Sequence, residues 1–282
     1  MRIYLSVDME GGTGIVHRDQ LGPEGKDYER SRRLLTGDVL AALEGAIAAG
    51  ASELLVNDSH GHMRNILLED FPPEASLISG PASTRNKPLC QTQGADGGWD
   101  LAFLLAYHAR AGARPGLLAH TWVGALVHEA RLNGTVVGET ALNAAVLGHY
   151  GVPVGLVVGA DDLVEEARTA LPGIETVATK RALGPNAAAC LPPSRTRELI
   201  REAARRAAER RRELKPFRVA PPVRIELDLH TRAMAEKAAA AAGIERTGER
   251  TIAAAGASVP EAAQAAWGAV EAAMREDASW MA

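Results

Sequence analysis

Through the first half of this chain, short apolar runs alternate with stretches whose apolar residues recur at helical intervals. RIYLSV, SELLVN, SLISG, LAFLLAYH and VPVGLVVG have the character of strands buried on both faces. Helical segments between them supply the crossovers that parallel strands require. The pattern predicts an α/β fold with a mostly parallel sheet flanked by helices. The first crossover, ERSRRLLTGDVLAALEGAIAAG, stops at Gly50, where glycine tolerates the positive φ of a helix end. A later helix is expected to open near Glu139 in VVGETALNAAVLGHYG and to stop at Gly151.

Between Ala125 and Val137, ALVHEARLNGTVV sets Asn133-Gly134 between two apolar-rich runs, which predicts an inserted hairpin joining the sheet as an antiparallel ribbon. An Arg-rich helix follows from about Ser194 to Glu213, and then KPFRVAPP, whose prolines cannot continue it. A boundary is expected there. Residues 1–215 would form the larger α/β domain, and residues 216–282 a smaller C-terminal α+β lobe ending in a helix from about Pro260.

Composition narrows the partners. A net charge of -4 with well-mixed signs leaves no basic face for a phosphate backbone, which argues against nucleic acid. Two cysteines, Cys90 and Cys190, make neither a disulfide framework nor a thiolate cluster, so a cytoplasmic setting is expected. Acidic residues arrive by Asp8, too early for a secretory signal, and no apolar run reaches the ~20 residues of a membrane span.

In open parallel sheets the functional crevice lies beyond the carboxyl ends of the strands. The first strand ends in Asp8 and Glu10, the second in NDSHGH with Asp58, His60 and His62, and LAFLLAYH in His108; His120 follows in LLAHTW, and Glu139 opens a helix. An i, i+2 pair in extended backbone faces one way, so Asp8 and Glu10 can share a cavity. Singly, each residue has a structural explanation: an Asp after a strand caps a turn, a first-turn Glu suits a helix dipole, and a strand-end His can be a hydrogen-bonded core residue. His17, His128, His149 and His230 stay in that structural class. Convergence changes the balance, because several ionisable groups at one buried edge need a partner, and a cation is the economical one. Oxygen and imidazole ligands without thiolates suit zinc, manganese or iron.

SVDMEG, VNDSHGHMRN, LAYHAR, LLAHT and VGETALNA together resemble the zinc-dependent D-aminopeptidase family, in the family's order and over most of the chain. The resemblance implies a dinuclear zinc centre with Asp8, Glu10, His60, His108 and Glu139 as metal ligands. In the family pattern Asp8 bridges, Glu10 and His108 hold one ion, and His60 and Glu139 hold the other. His120 matches the family's catalytic histidine, understood more easily as acid/base or oxyanion donor than as nucleophile. The implied substrate is a short peptide or amide with a free N-terminal residue, whose D configuration the family alone implies, and Asp58 is a candidate for supporting the site or binding the amine. Ring-shaped homodecamers are also implied. Two other readings use the same residues: a dinuclear amidohydrolase or esterase with another small substrate, and a non-catalytic ligand-binding protein.

Overall fold

The computed structural model describes residues 1–83 and 87–274. In chain order it contains β1 (Arg2–Val7), α1 (Tyr28–Ala48), β2 (Glu53–Asp58), β3 (Ala75–Ile78), α2 (Lys87–Cys90), β4 (Leu101–Tyr107), β5 (Val127–Leu132) and β6 (Thr135–Val137). There follow α3 (Glu139–His149), β7 (Val154–Ala160), α4 (Asp161–Ala170), β8 (Glu175–Gly184), β9 (Ala187–Cys190) and α5 (Pro193–Glu209). The chain then forms β10 (Val223–Leu229), α6 (Arg232–Ala238), β11 (Ile244–Arg246), β12 (Thr251–Gly256) and α7 (Val259–Met274).

A seven-stranded sheet has the order β3-β2-β1-β4-β7-β8-β9. All its pairings are parallel except β8 with β9. The α/β expectation holds, and so do the five strands named from sequence. Alternate residues of β1 show why its run is continuously apolar. Ile3, Leu5 and Val7 pack with Leu35 and Val39 of α1 and Ile200 and Ala204 of α5, while Tyr4 lies in the opposite core with Ala144 and Leu147 of α3 and Leu163 of α4. Both faces are covered, as parallel sheets require.

The hairpin forms as its Asn133-Gly134 turn predicts, with Asn133 at φ 47° and Gly134 at φ 82°. Its placement differs from the expectation. It does not join the parallel sheet; β5 pairs with β10, giving a second, antiparallel sheet of order β11-β12-β10-β5-β6. The strands after residue 216 therefore share a sheet and a core with residues 127–137. Hydrogen bonding of β5 to β10 spans a long loop of sequence, which no local pattern announces.

Helix α3 lies between the two sheets. Ala144 and Leu147 face the parallel sheet, and Ala141, Leu142, Ala145 and Val146 face the core shared with β10, β12 and α7. Residues Glu139 to Gly148 are all buried. That burial fixes the start of α3, and hence Glu139, against the carboxyl edge of the parallel sheet.

Candidate metal centre

Strand β1 delivers Asp8 and Glu10, the loop after β2 delivers His60, β4 delivers His108, a following loop His120, and the first residue of α3 is Glu139. The structure brings these six side chains together. His60 Nδ1 lies 3.1 Å from Asp8 Oδ1 and 3.1 Å from Glu10 Oε2. His108 Nε2 lies 3.4 Å from Asp8 Oδ2 and 3.6 Å from Glu139 Oε1. His120 Nε2 stands 4.0 Å from Glu10 Oε1 and 3.9 Å from Glu139 Oε1, its ring stacked on His108 with centroids 3.9 Å apart.

Glycine makes the approach of β1 to β4 possible. A Cβ on Gly11 would fall 1.9 Å from the Tyr107 carbonyl oxygen, so a side chain there would push Glu10 away from His108. Backbone strain also gathers here. Ala106 at φ 58° lies two residues before His108, and Leu118 at φ 51° and Trp122 at φ 57° flank His120. Left-handed non-glycine residues cost of order 1–3 kcal/mol each and persist where surrounding structure imposes them.

Each imidazole is oriented in the same way. His60 Nε2 donates to the Leu21 carbonyl at 2.9 Å, His108 Nδ1 to Ala109 at 3.0 Å, and His120 Nδ1 to Leu118 at 2.9 Å. A carbonyl only accepts, so these nitrogens carry the protons and the opposite nitrogens face the carboxylates. A lone pair aimed at a carboxylate oxygen is unfavourable until a proton or metal cation comes between them. Backbone anchoring of the outer N–H is the arrangement that metal-ligating histidines use.

The charges report the same need. Burial lowers His108, but its contacts with Glu139, Asp8 and Glu10 raise it to about 10. Burial opposes protonation of His60 too, and Glu10 and Asp8 outweigh it, lifting His60 well above its usual range. Burial raises Glu139, yet His108 and His120 bring it down to about 2. Glu10 is likewise raised by burial and then held well below the usual carboxylate range by His60, His108 and His120. Asp8 goes the other way, to about 6, through burial and the neighbouring Glu10. Asp8 Oδ2 and Glu10 Oε2 are buried with no hydrogen-bond partner. Protons here do what a divalent cation would do better, and the donor set of carboxylates and neutral imidazoles suits zinc.

Among the described residues, three groups have ligand atoms all within 4.8 Å of one another: Asp8–Glu10–His60, Asp8–His108–Glu139 and Glu10–His108–His120. Asp8 belongs to the first two, as a bridging carboxylate would. The groups overlap: Glu10 and His108 recur together in the third, as in the family-based division, while His60 shares the first with Glu10 and Glu139 shares the second with His108.

Other sequence candidates have structural duties. Asp58 Oδ2 accepts from the Asn65 and Ile66 amides and Oδ1 from Asn65 Nδ2, so Asp58 shapes the loop that carries His60. His62 Nε2 bonds the Tyr28 hydroxyl at 3.0 Å, His17 Nδ1 accepts from the Asp19 amide, and His230 Nε2 donates to Gly124. Sequence reasoning missed three contributors. The Trp122 amide donates to Glu139 Oε1 at 2.6 Å, Gln91 Nε2 donates to Glu139 Oε2, and Lys180 donates to the Glu10 carbonyl at 2.7 Å.

The D-aminopeptidase family profile matches residues 1–267. A D-aminopeptidase of Bacillus subtilis (strain 168) is 35% identical over 255 residues, covering 89% of this chain and 90% of the relative. The solved Zn-dependent D-aminopeptidase DppA from Bacillus subtilis, described as a self-compartmentalizing protease, superposes with a TM-score of 0.92 at 34% identity over 98% of both chains. Fold, length and sequence thus agree across nearly the whole molecule, and the chain belongs to the D-aminopeptidase family.

Proposed function

We propose that this chain is a zinc aminopeptidase that hydrolyses N-terminal D-amino acids from short peptides or amides. One observation carries the reading: three imidazoles, each anchored by a backbone carbonyl, turn their free nitrogens onto three buried carboxylates, two of which keep an unpartnered oxygen. Asp8, Glu10, His60, His108 and Glu139 would hold two zinc ions, with Asp8 common to both. When bound, the ions supply Lewis acidity toward the scissile carbonyl and toward a water molecule.

The protein's own part is to position and to move protons. Glu10 and Glu139, both held ionised, and the shared Asp8 fix the negative charge that keeps the cations in place. His120 is the most exposed of the three histidines, at 27% of its side chain against 13% for His60 and 2% for His108. Its Nδ1–H is tied to Leu118, so Nε2 is the atom free to accept a proton from the attacking water and return it to the leaving amine. Trp122 holds Glu139 through its amide and thereby couples the His120 loop to the carboxylates.

Residues 1–215 carry every proposed ligand, and the antiparallel sheet completed after residue 216 supports α3. We place the enzyme in the cytoplasm as a homo-oligomer, a homodecamer in the full form of the reading. The free thiols Cys90 and Cys190 suit that compartment. Among the described residues no helix is long and apolar enough to cross a membrane. A panel of D- and L-aminoacyl amides tests the substrate class. Selective hydrolysis of the D series is expected; equal turnover of simple esters with no use of a free amine would favour another hydrolase.

A further inference from the structure

Each half of the carboxylate–imidazole cluster is backed by its own buried polar network, and the two networks share no side chain. Behind Glu139 lies Gln91, whose amide works in both directions. Its Nε2 donates to Glu139 Oε2, and its Oε1 accepts from Asn143 Nδ2 at 3.2 Å. Asn143 also donates to the Tyr107 hydroxyl at 2.9 Å, which lies 2.7 Å from Ser6 Oγ, and Ser6 donates back to the Gln91 carbonyl at 2.6 Å. Asn57 Nδ2 holds the same segment through the Cys90 and Gln91 carbonyls, at 2.9 and 3.0 Å. The direction of every proton in this ring is fixed, because carboxylate and carbonyl oxygens only accept. Neither a carboxylate nor an apolar side chain at position 91 could serve both neighbours.

Behind Glu10 lies Lys180 on β8. It is 2% exposed, and its ammonium donates to the carbonyls of Glu10, Gly12 and Ile15 at 2.7, 2.6 and 2.6 Å. The adjacent Thr179 hydroxyl takes the intervening Gly11 carbonyl at 2.8 Å. Carbonyls 10, 11 and 12 are thus gripped in succession by two neighbouring side chains of one strand. A buried ammonium satisfied entirely by backbone oxygens has one evident use, to hold the loop that aims Glu10.

We propose that Gln91 and Lys180 are positioning residues that set the two halves of the cluster separately, Gln91 aiming Glu139 and Lys180 aiming Glu10, so that each half's affinity for its zinc ion is governed from outside the ligand set. The inference rests on the two-ion reading above. It explains why an amide from an irregular segment and a lysine from a distant strand are both buried beside the site.

The test uses the full-length metal-free chain, titrated with zinc against a chromophoric chelator, as wild type, Gln91→Leu and Lys180→Met. Wild type is expected to bind two ions. Each variant keeps one at the wild-type affinity and weakens the other about 10- to 100-fold, the usual effect of removing a group that orients a ligand. Gln91→Leu adds nothing once Glu139 is alanine, and Lys180→Met adds nothing once Glu10 is alanine. The visible spectrum of the cobalt-loaded Gln91→Leu chain shifts while its melting temperature does not, which a loss of general packing would not produce. Should Lys180→Met fail to fold, Thr179→Val carries the same arm, with a severalfold weakening of the same ion. Wild type binding two ions with variants that match it, or that weaken both ions equally, overturns the inference alone. Wild type binding fewer than two overturns the two-ion reading and this inference with it.

Discussion

The carboxyl edge of the parallel sheet and the antiparallel sheet bury opposite kinds of residue. At the carboxyl edge of the parallel sheet the buried groups are Asp8, Glu10, His108 and Glu139, with Asp58, Asn57 and Lys180 close behind. The antiparallel sheet buries Val127, Ala130, Leu132, Ile225, Leu227, Leu229 and Ile252 and turns Arg224, Glu226 and Asp228 outward. Apolar burial on the second sheet stabilises the fold at roughly 25 cal/mol per Å². The first edge concentrates buried carboxylates, imidazoles and strained backbone, whose charges depend on a proton or a cation for balance. The chemistry is thus gathered at one edge of the parallel sheet, while the antiparallel sheet contributes packing, with α3 between the two sheets.

The sharpest division comes from substituting one residue on each side. Asp8→Asn removes the carboxylate common to two ligand groups, and hydrolysis should fall at least about a thousandfold, several kcal/mol of transition-state stabilisation, without lowering the melting temperature of the metal-free chain. Steady-state kinetics and thermal melting check it together. Leu227→Ala on the antiparallel sheet should do the opposite. Leu227 is fully buried, so its truncation should cost about 2–5 kcal/mol in denaturant unfolding while turnover per folded molecule stays within about twofold of wild type. A large loss of turnover there would show that the second sheet does more than support α3.

How the two regions read from sequence follows the same division. β1 and β4 were legible because strands covered on both faces are continuously apolar, and the hairpin because Asn133-Gly134 suits its turn. β8 was not, because ETVATKRALG carries Lys180 in its middle, and only carbonyls from a loop far away in sequence explain how that charge is buried. The partner of the hairpin was hidden for a similar reason: Ile225 meets Leu132 across some ninety residues of intervening chain, as their numbers show. At the site, Asp8 and Glu10 announced themselves by their i, i+2 spacing. Gln91 could not, since an isolated glutamine in an irregular stretch carries no periodic signal.

Within the site, His120 should separate from the five ligands. His120→Gln is expected to lower kcat about a hundredfold, the scale of one acid/base group, while zinc content measured by elemental analysis is unchanged. Loss of an ion would instead make His120 a ligand, through its grouping with Glu10 and His108.

The smallest effect concerns pH. In the metal-free chain His60 lies well above its ordinary value and His108 at about 10. A histidine raised on folding contributes stability that is fully present below its unfolded value of ~6.5 and is lost as pH rises through the folded value. The melting temperature of the metal-free chain should therefore fall by several degrees between about pH 7 and 10. With zinc bound the imidazoles have no proton to lose, and the curve should be flatter over the same range. Glu139, at about 2, matters only in strong acid, where its contribution disappears as pH falls through that value.

If the charged edge is a metal centre, hydrolysis depends on the ions it holds. The direct measurement strips the purified chain of metal with a chelator and titrates zinc back while following release of D-alanine from its amide. No turnover before zinc, rising to a plateau at about two equivalents, is the expected result; full turnover by the stripped chain would contradict the account.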